Sequence, residues 1–123
     1  MNWTYQQSTG AIADPSGSPS GTGYSGADGC KNDPAAQDQS CRGPIPAGDY
    51  DIDLTPFDSP AHGPFVLRLT PDPENEMFGR SGFLIHGDSA AHPGKASEGC
   101  IILARSIRET ISASGVNRLT VIS

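Results

Sequence analysis

Positive charge is scarce in this chain. Eight Lys and Arg stand against 14 Asp and Glu, for a net charge of −6. A nucleic-acid backbone calls for a basic stripe, and none exists, so no nucleic acid is expected as a partner. Long hydrophobic runs are missing as well. No segment reaches the roughly 18 apolar residues of a spanning helix, so no membrane insertion is expected. The first ten residues, MNWTYQQSTG, have neither a basic n-region nor an apolar h-region. They do not read as a secretory signal, and synthesis in the cytoplasm without a signal peptide is the expectation. There are only three cysteines, Cys30, Cys41 and Cys100. The odd count leaves at least one thiol unpaired. There is no C-x-x-C, and His62, His86 and His92 are not at ligand spacing, so no metal or other cofactor is expected.

Glycine and proline, by contrast, are plentiful, at 15 and 11 of 123 residues. They lie between hydrophobic segments without a period and mark turns. A chain of this length makes one domain over residues 1–123, with a modest core. Period-two patterning points to strands. Trp3 and Tyr5 share a face near the start. Ala11–Ala13 offers a return strand. Tyr50, Ile52 and Leu54 alternate with acids in DYDIDLT. Phe65–Thr70, Ser81–His86, Cys100–Leu103 and Arg118–Ile122 add four more. Over 104–114 the period changes. Ile107 and Ile111 oppose Arg105, Arg108 and Glu109, which predicts one short amphipathic helix ended by Gly115. Residues 14–48 hold no periodic segment and read as a long surface excursion. The fold class is therefore mostly β, sandwich- or barrel-like, with one short helix after Cys100.

The chemistry concentrates in FLIHGDSAAHPGKASEGCIIL, residues 83–103. One apolar strand ends at His86, and a second begins at Cys100. A cysteine nucleophile needs a base and donors for an oxyanion. His86 can be the base, held by its strand, with a carbonyl near Gly87 or the Asp88 carboxylate fixing its tautomer. Gly99 permits a sharp turn, so the amides of Cys100 and Gly99 are candidate oxyanion donors. A buried cysteine and histidine that merely pack are the plain alternative.

Four blocks then occur in order: GTGYSGADGCKNDP (21–34), RGPIPAGDYDI (42–52), GRSGFLIHGD (79–88) and ASEGCIIL (96–103). Together with Ile85-His86-Gly87 and Ser97-Glu98-Gly99-Cys100, they resemble the L,D-transpeptidase (YkuD-like) superfamily. Within it they are similar to the DUF2778 subgroup, which includes type VI secretion L,D-transpeptidase effectors. The resemblance implies Cys100 as nucleophile and His86 as acid/base. It implies peptidoglycan tetrapeptide stems as substrate, and L,D-carboxypeptidase or D-amino-acid exchange as reaction. It also implies a secreted antibacterial toxin acting in the periplasm of a target bacterium, a secretion-system delivery component and a cognate immunity protein.

Two departures stand out. The wider family has histidine where Glu98 stands. Its usual polar or basic residue after the cysteine is replaced by Ile101 and Ile102. Arg80 is then the first candidate for carboxylate recognition, with Tyr24, Asp88, Glu98 and His92 as further candidates to border the substrate. His62 and His92 read otherwise as solvated turn and loop histidines. Cys30 and Cys41 permit a disulfide in an oxidising compartment without requiring one. Two alternatives remain: an NlpC/P60-type amidase using Cys30 or Cys41 with His86, and a non-catalytic wall-binding β module.

Overall fold

The computed structural model describes residues 1–40 and 42–123. In chain order its elements are β1 (Trp3–Gln6), β2 (Ala11–Ala13), β3 (Pro19–Thr22), β4 (Tyr24–Ser25), β5 (Gly48–Ile52), β6 (Phe57–Ser59), β7 (Gly63–Pro71), β8 (Leu84–His86), β9 (Ile101–Ile102), α1 (Arg105–Ala113) and β10 (Arg118–Ile122). The strands follow one hydrogen-bonded path, β3-β2-β1-β10-β5-β7-β8-β9-β4, with β6 attached to β7. β1 and β10 pair in parallel, as do β8 and β9; the other pairs are antiparallel. The fold is mostly β with one short helix after Cys100.

Period two places the core. Trp3 and Tyr5, Tyr50 and Ile52, and Leu119 and Val121 all point inward and join Leu67, Ile85, Ile101 and Ile111. Each such side chain contributes about 1.5–3 kcal/mol by leaving water. β7 hands the sheet from one half to the other. Its Leu69–Pro71 end pairs with β5, and Leu67 and Arg68 pair with β8. Ile85, His86, Ile101 and Ile102 are all buried. That explains why β8 and β9 read as continuous apolar runs rather than alternating ones.

Two expectations need correction. Residues 14–48 are not structureless: they contain β3, β4 and a short 3-10 turn at Pro34–Ala36. Polar side chains from inside and outside the segment hold Ile45. Gln7 Nε2 donates to the Ile45 carbonyl at 2.8 Å. The Ser25 hydroxyl accepts from the Ile45 amide at 2.9 Å. Arg108, expected on the exposed helix face, is only 5% exposed. Its guanidinium donates to the carbonyls of Leu103, Pro64 and Phe65 at 3.1, 2.9 and 2.8 Å. Those bonds offset the cost of burying the charge. The expected Cys30–Cys41 option involves residue 41, which lies outside the described residues.

Candidate active site

β8 and β9 lie side by side in parallel, Ile85 opposite Ile101 and His86 opposite Ile102. Cys100 therefore enters β9 beside the strand that His86 ends. Both residues line one cleft of about 430 Å³, together with His62, Arg80, Phe83 and Glu98.

His86 is 2% exposed. Its Nδ1 lies 2.9 Å from the Gly87 carbonyl oxygen. A carbonyl only accepts, so Nδ1 carries the proton and Nε2 keeps its lone pair. The acceptor is thus the Gly87 backbone and not Asp88. Nε2 is buried and has no hydrogen-bond partner among the described residues. Burial lowers the pKa of His86; the charges of His62 and Arg108 add to this, against the Gly87 bond and Asp88. Burial likewise pushes the Cys100 thiol up, and the Glu98 charge adds to it, while a backbone hydrogen bond from Leu84 and the Arg80 charge work the other way. Both shifts favour a neutral thiol and a neutral imidazole over a preformed ion pair.

The turn into Cys100 is built from side-chain bonds to backbone. The Ser97 hydroxyl donates to the Cys100 carbonyl at 2.6 Å and accepts from the amides of Gly26 and Gly99 at 2.9 and 3.0 Å. Ser25 Oγ donates to the Gly99 carbonyl at 2.8 Å. This spends the Gly99 amide, so it is not the oxyanion donor expected from the sequence. Gly99 has φ +144°, and a Cβ there would stand 2.5 Å from Arg80 Nη2. Both facts demand glycine. Gly99→Ala is expected to cost about 1–3 kcal/mol. The measurements are thermal unfolding and turnover, and a variant equal to the parent in both would refute the close fit.

Arg80 lines the cleft, but its guanidinium faces protein carbonyls. Nη1 donates to Gln37 O and Pro44 O at 2.6 and 2.7 Å, and Nη2 to Gly43 O and Glu98 O at 2.9 and 3.3 Å. It fastens Gln37, Gly43 and Pro44 to the turn before Cys100. This corrects its assignment to substrate carboxylate. Tyr24 and Asp88 do not line the Cys100 cleft either. They bind each other, Tyr24 Oη donating to Asp88 Oδ1 at 2.6 Å. The Ala96 amide donates to Tyr24 Oη at 2.9 Å, and the Ser89 and Gly94 amides donate to Asp88. The pair closes the loop between His86 and Cys100 like a clasp. Burial and the bond to Asp88 push the Tyr24 hydroxyl up to about 12. Glu98 borders the cleft and is exposed. His92 is exposed, away from the cleft lining, with its amide on Ser89 Oγ. Cys30 is not among the lining residues.

The sequence reading missed His62. Its ring lies against that of His86, centroids 4.4 Å apart and planes tilted by 31°. Nothing local in Pro60-Ala61-His62-Gly63-Pro64 marks it, because only the β6–β7 pairing brings that turn to the end of β8.

No curated protein and no solved structure gives a match to this chain. The family model for the Tlde1 domain matches residues 20–122, which takes in β4 through β10, all of β3 but Pro19, and the described residues of the Cys100 cleft. With that much of the chain matched, the protein belongs to the Tlde1 domain family, formerly DUF2778, a family of type VI secretion effectors.

Proposed function

We propose that the protein is a cysteine enzyme acting on peptidoglycan tetrapeptide stems, as an L,D-carboxypeptidase, an L,D-transpeptidase exchanging D-amino acids, or both. The observation that carries this reading is His86, its Nε2 buried and without a partner among the described residues, lining the same cleft as Cys100. A buried acceptor without a partner costs stability, and a base awaiting a proton is a functional reason to keep one.

The steps follow from the neutral pair. As Cys100 sulfur attacks the carbonyl between residue three and the terminal D-alanine, its proton passes to His86 Nε2. The Cys100 amide supports the oxyanion. The carbon–nitrogen bond breaks, and His86 returns the proton to the leaving D-alanine amine. A thioester remains on Cys100. Water or the amine of a D-amino acid then attacks it while His86 takes the incoming proton. The thiol leaves and is reprotonated. Water gives a tripeptide stem; an amine gives exchange. In the effector setting, the enzyme acts in the periplasm of a target bacterium, and a cognate immunity protein covers the cleft in the producer. The Cys30 alternative loses support, since Cys30 is not in the cleft with His86.

The test is incubation with disaccharide tetrapeptide and detection of released D-alanine by mass. Release is expected, along with incorporation of an added D-amino acid where exchange operates. Intact tetrapeptide at high enzyme concentration would sink the proposal.

The raised thiol pKa gives a separate expectation. Cys100 should alkylate more slowly than a free thiol at neutral pH, and its rate should still be rising above the ordinary thiol pKa of about 8.5. Site-resolved mass spectrometry of iodoacetamide labelling across pH reads this. Fast labelling of Cys100 at pH 6 would instead indicate a preformed thiolate.

A further inference from the structure

His62 occupies a place that a solvated turn residue does not need. It lines the Cys100 cleft on one side. On the other it lines a second cleft with Asp88, Ser89 and Lys95. His86 borders both, so the two stacked rings form a shared wall.

The arm that carries His62 is tied down twice. Within the turn, Ser59 Oγ accepts the Ala61 and His62 amides at 3.3 and 3.1 Å. Just beyond it, the buried guanidinium of Arg108 grips the carbonyls of Pro64 and Phe65. The same guanidinium abuts the other half of the pair: a Cβ on Gly87 would stand 2.8 Å from Arg108 Nη2. One side chain on α1 therefore sets the arm bearing His62 against the backbone that holds His86 Nδ1. The backbone on both sides of the His62 imidazole is therefore held in place.

We infer that His62 is a positioning residue for His86: its ring covers one face of the His86 imidazole and fixes the plane of that ring in the wall of the cleft. The groups around His86 are His62 from the β6–β7 turn, Arg108 from α1, Asp88 from the following loop, and Cys100, Glu98 and Arg80 across the cleft. Charge on His62 or Arg108 opposes a proton on His86, whereas Asp88 favours one. Removing His62 removes one opponent. His86 then takes up a proton at higher pH, and the acid limb of the rate profile moves up with it.

This inference rests on the proposed hydrolase chemistry only for its kinetic arm. His62→Ala is expected to lower kcat for D-alanine release about 10-fold, a typical cost of a loosened catalytic group. His62→Phe keeps a ring on His86 and is expected to restore kcat to within about threefold of the parent on the same ground. Both should move the acid limb upward, with Tm unchanged, since His62 is exposed. Independently of turnover, NMR titration of the His86 ring should show a higher midpoint in both variants. Parental rate and parental His86 titration in both variants would overturn the inference. If the parent releases no D-alanine, the peptidoglycan reading fails by itself. The His86 titration then decides alone: a moved midpoint supports the role of His62, and an unmoved one ends it.

Discussion

Replacing Cys100 with alanine is expected to abolish D-alanine release, a loss of at least about 10³-fold in kcat. The argument is one of position. Among the described residues, Cys100 is the only cysteine lining the cleft that His86 also lines, and His86 Nε2 has no partner among those residues. Among the described lining residues no other side chain offers a comparable nucleophile: Ser40 and Ser81 are hydroxyls that need stronger activation than a thiol. The variant should remain folded, because losing one half-buried sulfur costs no more than about 1–2 kcal/mol. His86→Gln should fall by about 10²–10⁴-fold, the usual worth of a positioned acid–base group. Cys30→Ala should keep parental turnover. Mass spectrometry of the parent trapped early with substrate should show the stem attached to the peptide containing Cys100. The adduct should vanish in Cys100→Ala. Full activity in Cys100→Ala would overturn the assignment outright. A stem adduct on Cys30 would move the nucleophile to the other end of the excursion.

What could be read from the sequence follows physical range. Period-two patterning comes from neighbouring residues, so β1, β5, β7 and β10 were visible with their buried faces. Ile107 and Ile111 marked α1 equally well. The meeting of His86 and Cys100 was plausible because each sits at the end of an apolar run, but only the parallel β8–β9 register makes them neighbours. Other features depend on single long-range bonds and carry no periodic signal. β4 exists because Tyr24 and Ser25 pair with β9. Arg108 looked solvent-facing, since charged residues on a helix usually are. Its burial needs three carbonyls from β7 and the end of β9, which no local pattern announces. His62 was hidden for the same reason. Arg80 and Tyr24 misled in the opposite direction. Their types suit substrate binding, but their donors are already engaged by the protein.

Arg80→Ala carries the largest expected stability loss and separates two roles that look alike in sequence. Arg80 is 8% exposed, and its guanidinium donates to the carbonyls of Gln37, Gly43, Pro44 and Glu98. Without it, the carbonyls of Gly43 and Pro44 lose a charged donor in a place water reaches poorly. Hydrogen bonds to charged groups contribute about 1.5–3 kcal/mol each, and the losses overlap, so a total of about 3–4 kcal/mol is expected. For a domain of this size that lowers Tm by roughly 10–15 °C. Lysine should not rescue it. A single ammonium cannot reach, in a planar fork, carbonyls on both the excursion and the turn before Cys100. Activity should fall through kcat, because the Glu98 carbonyl belongs to the turn that presents the nucleophile. A carboxylate-binding arginine would behave differently: Arg80→Lys would raise KM, leave Tm close to parental and spare kcat. Thermal unfolding and steady-state kinetics on Arg80→Ala and Arg80→Lys distinguish these outcomes. An unchanged Tm with a raised KM would return Arg80 to the substrate. A large fall in Tm shared by both variants would show that the charge beside Cys100 is there to hold the cleft's own backbone in place.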